Sequence, residues 1–212
     1  HNCLVGSEMC IRDSLKGYGA FGLAFGARFS SDKVCLLDRG FVLALAHVRG
    51  SGLKGKDWSE SGKLLKKENS FNDFIDCAEY LINKNYTKKS KLAVYGGAEG
   101  GMLVATVMNR RPDLFKVVIA NVPFVDVLTD MLDETMPTTI EEYEQWGNPK
   151  EKKFYDCIKA YSPYDNVKKQ QYPHVLAITA LNDNNIHYSG PVKWIAKIRD
   201  QKTDKNLSLI HI

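Results

Sequence analysis

A short glycine-rich segment, residues 96–100 (GGAEG), has the spacing of a turn that presents a catalytic nucleophile. In the G-x-S-x-G pattern the serine lies on a tight turn between a strand and a helix, and the flanking glycines avoid side-chain clashes there. The segment fits every position of this pattern except the serine, which is replaced by Ala98. An alanine has no oxygen that could attack a carbonyl carbon. The spacing therefore predicts a nucleophile turn without its nucleophile.

The same glycines could instead form a loop that cradles a phosphate group at the start of a helix. Loops of that kind carry either a lysine after the glycines or the spacing GxGxxG, and residues 96–101 (GGAEGG) have neither. We therefore favour the nucleophile turn over the phosphate loop.

Strands and helices alternate from about residue 34 onward, which is typical of a parallel sheet covered by helices on both faces. Apolar runs predict strands at 40–48, 91–97, 115–123 and 173–181, the first of them buried on both sides. Apolar residues at helical spacing predict helices at 70–82 and 190–201, and residues 99–111 and 126–160 also favour helix. Asn69 or Ser70 is expected to cap the helix at 70–82.

The composition is that of a globular domain with a real core, since 44% of the 212 residues are hydrophobic and 25% are charged. A net charge of +4 is too small to indicate nucleic-acid binding, and we interpret short clusters such as KLLKKE (63–68) as solvated faces. No apolar run approaches the roughly 18 to 20 residues of a membrane span. The five cysteines show no metal-ligand spacing, and we expect no metal and no cofactor. A cytoplasmic location is the default.

Both ends of the chain look foreign to the rest. SEMCIRDS (7–14) and LSLIHI (207–212) resemble translated sequencing-adapter sequence. We therefore expect residues 1–14 and 207–212 to be non-native tails around a single domain, residues 15–206, that is cut short at its C-terminal end. An alternative interpretation of LSLI is a genuine short strand, and the two overlap because an artefact can still pack as one.

Several sequence blocks between residues 15 and 206 resemble the oligopeptidase B members of the prolyl oligopeptidase family of serine peptidases. These blocks include GYGAFG (17–22), GGAEGGML (96–103), WGNP (146–149) and YSPYDNV (161–167). The resemblance implies an α/β-hydrolase domain with a mostly parallel sheet. It also implies a β-propeller partner domain, which this chain lacks, and cleavage of short peptides after Lys or Arg.

The resemblance also assigns roles to individual residues. Ala98 occupies the position of the serine nucleophile, and Asp183 occupies that of the triad acid, although by itself it would be interpreted as a turn residue. Tyr18 matches a tyrosine whose hydroxyl donates to the oxyanion, and the backbone N–H of Glu99 would be the second donor. The triad histidine falls beyond the last residue of this chain, and His187 is interpreted as a solvated loop residue.

Substrate specificity is expected to depend on acidic residues. Glu142 and Glu144 match the positions that bind the basic side chain before the scissile bond, although without the resemblance they would be interpreted as a solvated helix face. A second acidic pair of the family maps onto Gly26 and Arg28, so both of its charges are lost.

These residues predict the catalytic domain of a serine oligopeptidase that is inactive in this chain. The alternative is a non-catalytic pseudo-peptidase that keeps the fold and binds basic peptides or a protein partner, because fold alone does not decide function. An esterase of the same fold is a weaker interpretation.

Overall fold

One parallel sheet organises the computed structural model, which describes residues 13–26 and 29–212. Its strands are β1 (Asp13–Gly17), β2 (Val42–Ala46), β3 (Leu92–Gly97), β4 (Val117–Asn121), β5 (His174–Ile178) and β6 (Ser208–His211). The strand order is β2-β1-β3-β4-β5-β6, and every neighbouring pair is parallel. The carboxyl ends of all these strands therefore lie at one edge, where sheets of this kind form their binding sites.

The helices follow the strands in alternation, as the sequence predicted. They are α1 (Ser31–Leu37), α2 (Lys56–Glu60), α3 (Glu68–Asn83), α4 (Glu99–Arg110), α5 (Val127–Leu132), α6 (Thr139–Trp146), α7 (Lys152–Tyr161) and α8 (Ser189–Gln201), with 3-10 turns at Leu64–Lys66 and Pro112–Leu114. The predicted fold class, an α/β domain with a parallel sheet, is confirmed. Within the described ranges, no helix is long and apolar enough to cross a bilayer.

Helix α4 forms the centre of the core. It is buried from its first residue to Asn109 and packs against β1, β3, β4 and α3. Two glycines in its first turn allow this close approach, because a Cβ at Gly101 would lie 2.5 Å from the Cβ of Pro123. A helix that is apolar on nearly every face is stable only where other elements cover it on several sides.

The predicted strands at 91–97, 115–123 and 173–181 are confirmed as β3, β4 and β5, and the helix predicted at 70–82 is confirmed as α3. The expected cap of α3 was wrong, because Lys67 takes the N-cap position and Ser70 lies inside the first turn. The hydroxyl of Ser70 instead donates a 2.6 Å hydrogen bond to the carbonyl of Arg49.

Strand β2 lies at the edge of the sheet, and only its last residue is buried. The expectation of a strand buried on both sides is therefore corrected. Its apolar run packs on one neighbour only, β1, since no strand of the described chain pairs with its other side. Strand β1 was not predicted, because its sequence DSLKG is largely polar and its place is set by pairing with β2 and β3.

The predicted tails meet the sheet at both ends of the described chain. Asp13 and Ser14 begin β1, and the Asp13 carboxylate accepts a 3.2 Å hydrogen bond from the backbone N–H of Val42. Ser208–His211 forms β6, the short strand of the alternative interpretation. Residues 1–12 lie outside the described residues, and the non-native origin of both tails stays a prediction.

Candidate active site

The turn between β3 and α4 has the geometry that the G-x-S-x-G spacing predicted. Ala98 stands alone between strand and helix, with φ 51° and ψ −116°. A residue with a Cβ adopts such a conformation only at a cost, so this turn holds a strained alanine. The side chain of Ala98 is half-buried and lines the cavity described below.

The flanking glycines are required because two backbone segments approach each other closely. A Cβ at Gly96 would lie 1.9 Å from the carbonyl oxygen of Gly100, and a Cβ at Gly100 would lie 2.6 Å from the carbonyl oxygen of Gly17. Both distances are far shorter than any contact that a real Cβ makes. Gly97, by contrast, has room for a side chain, since its nearest neighbour would be 3.8 Å away.

A cavity of about 280 Å³ opens at the carboxyl edge of the sheet. Five of the six predicted site residues line it, namely Tyr18, Ala98, Glu99, Glu142 and Asp183. Three of them come from loops that directly follow strands β1, β3 and β5, so the parallel sheet is what brings them together. Apolar walls are supplied by Val122, Phe124, Met131, Met136 and Ile186.

Tyr18 and Glu99 are in direct contact inside this cavity. The hydroxyl of Tyr18 donates a hydrogen bond to the carboxylate of Glu99, and Glu99 is only 8% exposed. Burial raises the pKa of Glu99 above its usual range. Burial, followed by the charge of Glu99, raises the pKa of Tyr18 as well. The phenol therefore remains protonated, and its proton points at a carboxylate.

A fully buried lysine holds the turn that carries Tyr18. The Nζ of Lys67 donates to the carbonyl oxygen of Gly19 at 2.5 Å and to the Oγ of Ser70 at 3.3 Å. Burial lowers the pKa of Lys67 to about 7, against the opposing charge of Glu99. The interpretation of residues 63–68 as a solvated face is therefore wrong for Lys67, which is 0% exposed, although its neighbour Lys66 is exposed.

The two predicted specificity carboxylates do not lie together. Glu142 lines the cavity, and its Oε2 accepts a 2.7 Å hydrogen bond from the indole N–H of Trp146. Glu144 lies outside the cavity with its side chain 87% exposed, 3.5 Å from the Nζ of Lys63. Residues two apart on a helix point in different directions, so the expectation that both line one pocket is corrected.

Asp183 lies in the loop after β5 and lines the cavity. Its Oδ1 also accepts 2.9 Å hydrogen bonds from the backbone N–H groups of Asn185 and Ile186, so it shapes its own turn as well. His187 is exposed, with its Nδ1 2.8 Å from the Oγ of Ser189. No histidine of the described chain lines the cavity.

One acidic residue of the cavity was missed. Asp130, in α5, lines the wall, and burial, followed by the charge of Asp126, raises its pKa to about 7. No motif in the sequence points to it, because its burial depends on how α5 packs. The cavity thus holds four carboxylates, from Glu99, Asp130, Glu142 and Asp183, and no lysine or arginine of the described chain lines it.

Of the two positions that match the second acidic pair of the family, the structure describes only Gly26. Gly26 is exposed, and a Cβ there would meet nothing within 4 Å. Arg28 lies outside the described residues.

A parallel sheet with helices between its strands, and a tight turn between a central strand and the helix that follows it, is the arrangement of an α/β-hydrolase domain. The model of the prolyl oligopeptidase family matches residues 27–212. The chain belongs to the prolyl oligopeptidase family.

Named relatives and solved structures agree with this assignment. The chain is 47% identical to dipeptidyl aminopeptidase BI of Pseudoxanthomonas mexicana, over 89% of this chain and 26% of that protein. It is 45% identical to protease 2 of Moraxella lacunata, over 91% of this chain and 28% of that protein. Its fold matches oligopeptidase B from Leishmania major with a TM-score of 0.93 and 46% identity, covering 97% of this chain and 29% of the other. The chain thus spans less than a third of the length of these relatives.

Proposed function

We propose that this chain is the catalytic-domain part of an oligopeptidase B-like serine peptidase, and that it is catalytically inactive as it stands. The observation that carries the proposal is Ala98 at the strained turn between β3 and α4, where the G-x-S-x-G spacing predicts the nucleophile. In the complete protein we expect a β-propeller beside this domain, short peptides as substrates, a cytoplasmic location, and neither nucleic acid nor membrane as a partner.

Two groups that acyl transfer requires are missing from the cavity. Ala98 supplies no hydroxyl that could form an acyl-enzyme, and no histidine among the described lining residues could accept its proton. Sites that lose these groups keep only the smaller contributions of substrate binding and oxyanion stabilisation. We therefore expect no hydrolysis above background.

The cavity favours a basic side chain as the group that it recognises. Four carboxylates line it, and the described lining residues include no lysine or arginine. A guanidinium can satisfy carboxylates through charge-assisted hydrogen bonds. Glu142 is the best placed of the four, because the indole of Trp146 fixes one of its oxygens. The planar fork of arginine suits such a pocket better than the single ammonium of lysine.

The catalytic part is tested with a short peptide that ends in Arg-aminomethylcoumarin and with a fluorophosphonate that labels active serines. The expected result is neither product nor label. The variant Ala98→Ser should remain inactive, because a serine without a general base is a weak nucleophile. Stoichiometric labelling of the original chain near residue 98 would overturn the proposal.

The binding part tests whether the cavity recognises basic groups, which both the peptidase and the pseudo-peptidase that binds basic peptides require. An arginine peptide and the same peptide with citrulline are titrated against the chain and against Glu142→Gln at low ionic strength. We expect the arginine peptide to bind more tightly and to lose this advantage in the variant. Glu141→Gln is the matched control, because Glu141 is exposed on the same helix and does not line the cavity. Equal binding by all three proteins would show that the pocket does not recognise basic groups.

Sequencing the complete gene decides between the two functions. A serine at the position of Ala98 and a downstream histidine would favour the active peptidase. An alanine in the native gene would favour the pseudo-peptidase.

A further inference from the structure

Glu99 occupies an unusual place for a carboxylate. It directly follows the nucleophile position, it is the first residue of α4, and its side chain lines the cavity with only 8% of its surface exposed. A carboxylate removed from water to this extent is costly unless donors replace its hydration. The hydrogen-bond donors around the Glu99 carboxylate therefore indicate which kind of ligand atom this part of the cavity binds.

A donor that holds Glu99 is a group assigned to an oxyanion. The hydroxyl of Tyr18 donates a hydrogen bond to the Glu99 carboxylate. The start of α4 adds the positive end of a helix dipole. The charge of buried Lys67 stabilises the Glu99 carboxylate, whereas the charge of Glu142 destabilises it.

We propose that the Glu99 carboxylate is a built-in occupant of the oxyanion position and closes this position to any other negatively charged oxygen. The assignment of Tyr18 to an oxyanion rests on the proposed function, whereas its contact with Glu99 does not. The chain is then disabled at two adjacent and independent positions. Ala98 removes the nucleophile, and Glu99 occupies the Tyr18 hydroxyl, a donor that would stabilise the product of its attack.

This arrangement has a consequence for attempts to restore activity. A serine at position 98 would still face a filled oxyanion position, and a negative oxygen would meet the charge of Glu99 at hydrogen-bond range from Tyr18. Glu99 therefore determines the sign of the ligand charge that the cavity accepts. It excludes anions and leaves the cations that Glu142 and Asp130 favour.

The contact is tested first through the Cζ carbon of Tyr18, whose 13C chemical shift at neutral pH reports the hydrogen bond that its hydroxyl donates. Tyrosine labelled with 13C at Cζ is observed by NMR in the chain, and Tyr18→Phe identifies its signal. We expect Glu99→Gln to shift the Tyr18 signal, because it replaces a charged acceptor by a neutral one and keeps the side-chain shape. Glu142→Gln is the matched control, since Glu142 acts on Tyr18 through charge alone and should shift the signal less. An equal or larger shift in Glu142→Gln would overturn the proposal.

The closure is tested with methylphosphonate, a small tetrahedral oxyanion, by calorimetry at low salt. We expect Glu99→Ala to bind it at least about tenfold more tightly than the original chain, because a charged hydrogen bond is gained and a repulsion is lost. The double variant Glu99→Ala, Tyr18→Phe should lose this gain. No gain in Glu99→Ala, or a gain that survives the loss of Tyr18, would overturn the proposal. Glu99→Gln, which keeps the side-chain volume, repeats the comparison if Glu99→Ala does not fold.

These outcomes are distinct from those that test the proposed function. Arginine selectivity depends on Glu142 and is measured with a cation, whereas closure depends on Tyr18 and Glu99 and is measured with an anion. One result would be a failure of arginine selectivity together with tighter methylphosphonate binding in Glu99→Ala. The proposed substrate class would then be wrong, and the proposal that Glu99 occupies the oxyanion position would stand. The reverse result refutes the occupant and leaves the substrate class intact.

Discussion

The backbone nitrogen of Ala98 donates a 2.9 Å hydrogen bond to the carbonyl oxygen of Asn121, the last residue of β4. The carbonyl oxygen of Ala98 in turn accepts from the backbone N–H of Phe124 at 3.1 Å. The end of β4 and the loop after it thus hold the turn by both backbone polar groups of Ala98. This bracing keeps Ala98 at a positive φ, although its side chain carries no oxygen.

The strain at Ala98 predicts that Ala98→Gly stabilises the chain. A residue with a Cβ in such a conformation destabilises the fold by about 1 to 3 kcal/mol. Glycine relieves this strain, but the greater entropy that it loses on folding reduces the gain by about 0.5 to 1 kcal/mol. We expect a net gain of about 1 kcal/mol in the free energy of unfolding, measured by urea denaturation. Ala105→Gly, inside α4, is the control and should destabilise by about 1 kcal/mol or more. A loss of stability in Ala98→Gly would show that the turn is not strained.

The close approach at Gly96 predicts a severe effect of one added methyl group. Gly96→Ala places a Cβ 1.9 Å from the carbonyl oxygen of Gly100, which only a shift of β3 or α4 can relieve. We expect a loss of more than about 3 kcal/mol, or no folded protein. Gly97→Ala should change stability by less than about 0.5 kcal/mol, since its nearest contact would be 3.8 Å. Similar losses in both variants, measured by thermal denaturation, would contradict the geometry of the turn.

Buried Lys67 predicts that stability rises with pH above neutrality. Its pKa is lowered to about 7 in the folded chain from an ordinary value of 10.5, so the unfolded chain binds more protons between these values. Stability should therefore increase by about 1.4 kcal/mol per pH unit in this window from Lys67 alone. Below pH 7 the folded lysine is charged, so the full free-energy cost of burying its charge lowers the stability there.

The measurement compares the original chain with Lys67→Met at pH 6 and pH 9 by urea denaturation. The variant lacks the titrating group, so its stability relative to the original chain should be higher at pH 6 than at pH 9. Lys66→Met, at an exposed position, should show no such change. A pH-independent difference for Lys67→Met would show that Lys67 keeps an ordinary pKa.

The raised pKa of Asp130 predicts that basic peptides bind more tightly as the pH rises from about 6 to about 8. Burial, followed by the charge of Asp126, raises its pKa to about 7, so the carboxyl is mostly neutral at pH 6 and mostly charged at pH 8. We expect the affinity for the arginine peptide to rise about fivefold over this range, as one partly screened charge appears. Asp130→Asn should abolish the rise, and added salt should reduce it. The same rise in Asp130→Asn would assign the titration to another group.

The sequence by itself determined the spacing-dependent parts of this protein. Apolar runs located β3, β4 and β5, and helical periodicity located α3, because those patterns report burial along a single segment. The glycine spacing around Ala98 specified the turn, because few other residues fit between such close backbones. The family resemblance further identified five residues that line one cavity.

The tertiary structure alone decided which charges are buried. Lys67 and Lys66 are identical in type and adjacent in sequence, yet only Lys67 lies beneath the turn of Gly19. Glu142 and Glu144 share a helix, yet only Glu142 reaches the cavity. Strand β1 likewise depends on its neighbours, because its polar sequence carries no strand pattern of its own. Burial and pairing depend on which distant segments close around a residue, and local spacing does not contain that information.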